Sequence, residues 1–133
     1  MEGSADRKTV LVVDDESNIR MALQFLMEEQ GYAVRCAADG EAAVEEIKKS
    51  PPDVVLLDIK MPKRSGYEVC QAVRSDPNLG KVRILVLSAI CRHVAIEKAT
   101  AMGADGFLSK PFSTADVVEK VRSLTARSDD NHA

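Results

Sequence analysis

The sequence predicts one α/β domain in which a parallel β-sheet is covered by helices on both faces. Apolar runs alternate along the chain with segments that repeat apolar residues at helical spacing, and this alternation gives five strand–helix units. Right-handed crossovers between parallel strands place helices on both sides of such a sheet. The strongest runs carry no polar alternation, which fits strands buried on both faces; they occupy residues 10–13, 54–57 and 84–87.

Size and composition limit the class of protein. The chain has 133 residues, which suits a single domain, with 45% hydrophobic and 29% charged residues. Its net charge of −3 and the absence of tryptophan give no basic or stacking surface for nucleic acid. No apolar stretch approaches the ~20 residues of a membrane span. The sequence therefore predicts neither nucleic-acid nor membrane binding, and it favours a cytoplasmic location.

The cysteines argue against a disulfide framework or a zinc site. Cys36, Cys70 and Cys91 are odd in number, and no C-x-x-C pair occurs. Free thiols in a reducing compartment are the better interpretation.

Capping signals mark the ends of the first two helices. Ser17 is predicted to cap the first helix, which ends at Gly31, and Asp39 is predicted to cap the second. Prolines at 51–52 stop the second helix, and residues 33–37 form a weaker strand candidate between the two. The side chains expected to face inward are Ile19, Leu23 and Leu26 on the first helix and Ala43, Val44 and Ile47 on the second.

The second half of the chain continues the same alternation. Helices are expected over about residues 66–75 and 92–102, and Gly103 suits the position that follows a helix. A short fifth strand is expected over 105–108, and residues 113–116 have the form of a capping box that opens the last helix. The side chains expected to face inward from that helix are Val117, Val121 and Leu124.

Polar residues follow four of the predicted strands where those strands end. They are Asp14, Asp15, Asp58, Ser88 and Lys110. Because ligands bind at the carboxyl ends of the strands in an open parallel sheet, these side chains are expected to converge. Three carboxylates in one crevice repel unless a cation lies between them, and Mg²⁺ accepts such oxygen ligands. A carboxylate beside that cation can attack phosphorus, while an ammonium and a hydroxyl bind phosphoryl oxygens.

Each of these signals has a plainer interpretation on its own. An acidic pair after a strand can cap a helix, an Asp at a strand end can belong to a turn, and a Ser or a Lys-Pro there is common. Their joint occurrence at four successive strand ends is what favours a chemical site.

The motifs at these strand ends resemble the receiver domain of bacterial two-component response regulators. The resemblance covers about residues 8–126 and includes stand-alone, chemotaxis-regulator-like receivers. It implies a flavodoxin-like, doubly wound (βα)5 fold with strand order 2-1-3-4-5. The motifs that carry it are residues 12–15, residues 57–62 with Gly66, residues 88–89 and residues 103–112.

The resemblance implies a role for each residue of the site. Asp58 is the phosphoacceptor, and Mg²⁺ is bound directly by Asp15, Asp58 and the backbone carbonyl of Lys60, while Asp14 acts on it through water. Lys110 and Ser88 bind the phosphoryl oxygens. Two further residues have implied roles: Phe107, which turns inward when Ser88 moves toward the phosphate, and Pro111, which follows a cis peptide bond. An ordinary core or edge aromatic is the alternative interpretation of Phe107.

The resemblance also implies partners and an output. A histidine kinase or a histidine phosphotransfer protein supplies the phosphoryl group, and a downstream protein target binds the surface formed by helix 4, strand 5 and helix 5. Chemistry is limited to self-phosphorylation and self-dephosphorylation of the switch. We expect residues 1–7 to be flexible and residues 127–133 to form a polar tail, and a fragment of a longer regulator is the alternative.

Two other classes of protein share part of this pattern. An aspartate-nucleophile phosphohydrolase of the haloacid-dehalogenase kind also uses Asp, Mg²⁺ and Lys, but its two aspartates lie one residue apart and a cap covers the site. Here Asp14 and Asp15 are adjacent, and no cap insertion occurs. A metal-free pseudo-receiver would not need the complete acidic set.

Overall fold

The computed structural model describes residues 7–59, 63, 65–89 and 93–130. Its centre is a five-stranded parallel sheet in the order β2-β1-β3-β4-β5, which confirms the predicted fold class and strand order. The strands are β1 (Thr9–Val13), β2 (Ala33–Ala37), β3 (Val54–Asp58), β4 (Arg83–Ser88) and β5 (Gly106–Ser109).

Helices connect the strands and cover both faces of the sheet. They are α1 (Ser17–Glu29), α2 (Gly40–Lys49), α3 (Gly66–Arg74), α4 (His93–Ala101) and α5 (Thr114–Asp130), with a short 3₁₀ turn at Pro77–Leu79 before β4. The last helix continues past residue 126 to Asp130, so the predicted polar tail begins in helical conformation. In the part of the chain that the structure describes, no helix is long and apolar enough to cross a bilayer.

Two core layers lie on opposite faces of the sheet because successive strand side chains point to opposite sides. Leu11 and Val13 face the layer built with α2, α3 and α4, whereas Val10 and Val12 face α1 and α5. All four side chains are buried, as the absence of polar alternation in the sequence predicted. This arrangement leaves the carboxyl edge of the sheet between the two layers as the place where polar groups gather.

The start of α1 differs from the prediction. Ser17 is the first helical residue rather than the cap; Glu16 occupies the N-cap position, and its side chain makes no capping hydrogen bond. Leu23 and Met27 are the fully buried residues of this helix. Asp14 Oδ1 accepts a hydrogen bond from the amide of Glu16, the N-cap residue, at 2.9 Å.

The other capping predictions are confirmed. Asp39 caps α2 by accepting a hydrogen bond from the Ala42 amide at 2.8 Å. Ser113 accepts from the Asp116 amide at 3.1 Å at the start of α5. Gly103 has a φ of 104°, the left-handed conformation that glycine adopts after a helix.

Asp105 lies one residue before β5 rather than inside it as predicted. Its carboxylate oxygen Oδ2 accepts hydrogen bonds from the Ile84 amide at 2.8 Å and from the Arg74 guanidinium at 2.7 Å. Arg74 Nε also donates to the Gly103 carbonyl at 2.9 Å. These contacts fasten the end of α3 to the loop between α4 and β5 at the edge of the sheet opposite the carboxyl ends.

Candidate functional site

Strands β1 and β3 bring three carboxylates together at the carboxyl edge of the sheet. Val13 pairs with Leu57, so Asp14 and Asp58 follow in neighbouring positions. Oxygen atoms of Asp14, Asp15 and Asp58 lie within 4.8 Å of one another. Asp14 is 1% exposed and Asp58 8% exposed, whereas Asp15 is open to solvent. Two buried acids and one accessible acid therefore share one crevice.

Lys110 provides the positive charge of this crevice. Its Nζ lies 3.2 Å from Asp14 Oδ2 and 3.6 Å from Asp58 Oδ1. The Lys110 amide donates to the Ser88 carbonyl at 2.7 Å, which extends the β4–β5 pairing by one residue, and the Lys110–Pro111 peptide bond is cis. The pairing of β4 with β5 thus positions the Lys110 ammonium group beside the two buried carboxylates.

One ammonium faces three carboxylates in this crevice, and the pKa of the buried Asp58 is raised. Burial raises that pKa from 3.8 to about 6; Lys110 opposes the rise, and the charges of Asp14 and Asp15 add to it. A hydrogen bond from the backbone at Ile59 also lowers it. Three carboxylates and one ammonium leave the crevice with a net negative charge, which favours a further cation.

The donor set fits Mg²⁺. This ion prefers hard oxygen ligands at about 2.0–2.1 Å in an octahedron, usually with one or two carboxylates and several waters. Oxygens in such an octahedron lie ~3 to ~4 Å apart, and the carboxylate oxygens here lie within 4.8 Å of one another. The exposure of Asp15 leaves one side of the group open to water. The Lys60 carbonyl, the fourth predicted ligand, lies outside the described residues.

Gly66 makes possible the close return of the chain after β3. Its amide donates to the Ile59 carbonyl at 2.8 Å. A Cβ atom at this position would lie 2.5 Å from the Asp58 carbonyl oxygen and 2.8 Å from Ile59 Cα. Ser65 and Glu68 then close a capping box that starts α3. The backbone beside Asp58 is therefore packed directly against the first turn of α3.

Replacing Gly66 with alanine should therefore destabilise the protein. We expect Gly66→Ala to lower the free energy of unfolding by about 1–3 kcal/mol, because the atoms that must move are backbone atoms rather than flexible side-chain ends. Gly80→Ala is the matched control, since its Cβ would lie 3.8 Å from the nearest atom, the Pro77 carbonyl oxygen. Urea unfolding of both variants measures the difference; equal stabilities would show that the close approach is not restrictive.

Comparison with known proteins identifies this arrangement. The family model for the response regulator receiver domain matches residues 10–122, which is most of the chain. The chain belongs to the response regulator receiver family.

Solved structures agree with this assignment. A protein from Chloroflexus aurantiacus assigned as a response regulator is 34% identical over 91% of this chain and 99% of its own, with a TM-score of 0.87. The chemotaxis protein CheY4 of Vibrio cholerae is 31% identical over 89% of this chain and 98% of its own, with a TM-score of 0.84. The receiver domain of the Francisella response regulator 1452 is 29% identical, with 92% and 99% coverage and a TM-score of 0.86.

Two predicted switch residues of this receiver lie on the neighbouring strands β4 and β5. Ser88 is 2% exposed at the end of β4 and pairs with Ser109, while Phe107 pairs with Val86. The Phe107 ring is partly buried and packs against the core layer formed with α2, α3 and α4. The structure thus places both residues on adjoining strands, Ser88 at the carboxyl end of β4 and Phe107 against the core.

An apolar groove adjoins the crevice of the receiver. It has a volume of about 430 Å³ and lies beside Lys110, with walls made by Ile19, Ala89, Pro111 and Phe112. The sequence patterns singled out Ile19 as a core residue, yet it is only half-buried. The groove depends on a tertiary contact between α1 and the loop after β5, so local sequence patterns did not reveal it.

Arg20 is a second feature that the sequence patterns missed. Its Nη1 donates to the Asp14 carbonyl at 2.8 Å. The available signal was a basic residue six positions after the first acid of the pair, but that spacing has no meaning until α1 turns back toward β1. The side chain therefore belongs to the surroundings of the acidic cluster.

Proposed function

We propose that this receiver is a phosphoacceptor switch of a two-component phosphorelay. Asp58 accepts a phosphoryl group from a phosphohistidine of a histidine kinase or a histidine phosphotransfer protein. The observation that carries the proposal is the setting of Asp58, a buried carboxylate within 3.6 Å of Lys110 and beside two further acids. The groups that a phosphoryl acceptor needs are therefore collected around one side chain.

The transfer step has a simple balance. A carboxylate oxygen of Asp58 would attack phosphorus, forming an O–P bond, while the N–P bond breaks and its electron pair leaves with the imidazole. Asp14 and Asp15, with the backbone carbonyl of Lys60, would hold Mg²⁺ beside Asp58. When bound, that ion would neutralise the negative charge that gathers on the transferring oxygens.

Lys110 and Ser88 would bind the phosphoryl group after transfer. The phosphoryl group adds about −1.5 to −2 charge units, which requires a cation within reach. Lys110 already lies 3.6 Å from the Asp58 carboxylate, and the Ser88 side chain is buried at the end of the next strand. An ammonium and a hydroxyl at these positions match the oxygens of an acyl phosphate.

The output would run through the surface of α4, β5 and α5. Movement of Ser88 toward the phosphoryl group would leave space for Phe107 to turn inward, and the shape of that surface would change for a downstream protein target. The packing of Phe107 against the core supports this route, because an inward rotation changes contacts that continue to Ala99 of α4.

The groove beside Lys110 would receive part of the phosphodonor protein. Its apolar walls, Ile19, Ala89, Pro111 and Phe112, lie next to the crevice that holds Asp58. A phosphohistidine can reach a buried carboxylate only if its protein docks at this edge of the sheet. A cytoplasmic location, where such donors present their histidines, completes the proposal; the domain limits of residues 8 and 126 stay a prediction.

Acetyl phosphate with Mg²⁺, followed by intact mass measurement, tests the proposed function. We expect one phosphoryl group on the wild type and none on Asp58→Asn. EDTA should also prevent uptake, because the acid cluster would lack its cation. Rapid turnover of generic phosphomonoesters, or unchanged uptake by Asp58→Asn, would contradict a phosphoacceptor switch and favour a hydrolase or another acceptor.

A further inference from the structure

Asp15 is the exposed member of the acidic cluster. In the ranges that the structure describes, no hydrogen bond or ion pair fixes its carboxylate. Its oxygen atoms nevertheless lie within 4.8 Å of those of Asp14 and Asp58. The backbone of the turn therefore sets the direction of the Asp15 Cα–Cβ bond, from which the carboxylate reaches the cluster.

Among the described residues, three hydrogen bonds restrain the turn at Asp14. The Asp14 amide donates to the Ala37 carbonyl at 3.3 Å, and the Glu16 amide donates to Asp14 Oδ1 at 2.9 Å. The third contact comes from α1, where Arg20 Nη1 donates to the Asp14 carbonyl at 2.8 Å. Of these three, only the Arg20 hydrogen bond acts on the peptide group that joins Asp14 to Asp15.

We propose that Arg20 is a positioning residue for the divalent cation site, acting through the Asp14 carbonyl to orient Asp15. The peptide plane between Asp14 and Asp15 sets the direction of the Asp15 Cα–Cβ bond, and a guanidinium bond to its carbonyl restrains that plane. The Arg20 amide also donates to the Glu16 carbonyl at 3.0 Å, so backbone and side chain bracket the turn together. This proposal rests on the proposed Mg²⁺ site.

An electrostatic role and a positioning role of Arg20 predict opposite effects of its removal on Mg²⁺ affinity. The guanidinium is a positive charge held at the Asp14 carbonyl, beside the acidic cluster, so its removal would by itself strengthen the binding of a cation. Loss of the restraint on Asp15 would weaken it, as loss of the groups that orient metal ligands commonly does by about 10–100-fold. The direction of the change in Mg²⁺ affinity therefore separates positioning from simple electrostatics.

Titration of the full chain with Mg²⁺, followed by amide NMR shifts, tests the proposal. We expect Arg20→Met to bind Mg²⁺ about 10-fold more weakly than the wild type. Arg20→Lys keeps the charge but loses the planar group, and its Mg²⁺ affinity should lie between those of the wild type and Arg20→Met. Repeating the titration at high salt screens the charge contribution and should leave the weakening in place.

A metal-free measurement adds an independent readout. We expect the Asp15 and Glu16 amides to exchange hydrogen faster in Arg20→Met, while the amides of β1 and β3 keep wild-type rates. A uniform rise across the sheet would instead indicate general destabilisation and would overturn a local positioning role. Arg20→Gln provides a second variant if Arg20→Met does not fold.

The outcomes distinguish this inference from the proposed function. Mg²⁺ binding by Arg20→Met that equals or exceeds that of the wild type would overturn the positioning role. If the wild type takes up phosphoryl from acetyl phosphate in that case, the proposed function stands. A wild type that neither binds Mg²⁺ nor takes up phosphoryl would overturn both.

Discussion

Replacing Lys110 with methionine should destabilise the metal-free receiver by about 3–5 kcal/mol at pH 7.5, the usual result of removing one partner of a buried ion pair. Lys110 Nζ lies 3.2 Å from Asp14 and 3.6 Å from Asp58, and the side chains of those acids are 2% and 10% exposed. Without the ammonium, both carboxylates would remain in a poorly solvated crevice. Phosphoryl uptake should also be lower in this variant, because the Lys110 ammonium would bind the transferred group.

The pH dependence of the Lys110 variant gives a second test. Lys110 lowers the pKa of Asp58 against the effect of burial, so Lys110→Met should raise that pKa further above about 6. The loss of folding stability in Lys110→Met arises from the ionised carboxylates, so it should become smaller as the pH falls toward 4.5. Urea unfolding in EDTA at both pH values measures it, with the exposed Lys81→Met as the control. A loss below about 0.5 kcal/mol, the range of ordinary surface substitutions, would contradict the account.

Asp58→Asn should act in the opposite direction and stabilise the metal-free receiver. The pKa of Asp58 is raised from 3.8 to about 6, so the native state holds a proton that the unfolded state releases between these values. Wild-type stability therefore falls as the pH rises through this window. At ~1.4 kcal/mol for each pH unit, the gain from removing the ionised group is at most about 3 kcal/mol at pH 7.5.

The gain from Asp58→Asn should depend on pH and on metal. It should largely disappear near pH 4, where native Asp58 is protonated, and Asp15→Asn should give a smaller gain because Asp15 is exposed. Added Mg²⁺ should stabilise the wild type by mass action and reduce its difference from Asp58→Asn, which lacks one ligand. If Asp58→Asn were less stable than the wild type in EDTA at pH 7.5, burial of the Asp58 charge would not reduce the stability of the fold.

The fold was predictable because each central strand can be recognised from its own short run of apolar residues. Val54 to Leu57 are apolar without interruption, which requires cover on both faces, and the structure buries all four. Asp39 and Gly103 mark helix ends by chemistry that depends on their immediate neighbours. The strand order followed from the family resemblance, since periodicity alone specifies the strands but not their arrangement.

The features that the sequence did not predict depend mostly on contacts between segments that are distant in the sequence. Ser17 is a residue type that often caps helices, but in the structure it is the first helical residue and Glu16 holds the N-cap position without a side-chain cap. Gly66 entered the prediction as part of a motif, whereas its reason is the 2.5 Å approach that a Cβ would make to the Asp58 carbonyl. Arg20 had no local signal of function, because its partner belongs to the end of β1.

The measurement that tests the central claim most directly is the location of the phosphoryl group. The wild type would be treated with acetyl phosphate and Mg²⁺, reduced with borohydride, which converts an aspartyl phosphate to homoserine, and digested for peptide mass mapping. We predict homoserine at position 58 and nowhere else. Homoserine at Asp14 or Asp15, a phosphoryl group on His93, or no label under conditions in which the protein is folded would contradict the assignment of Asp58 as the acceptor.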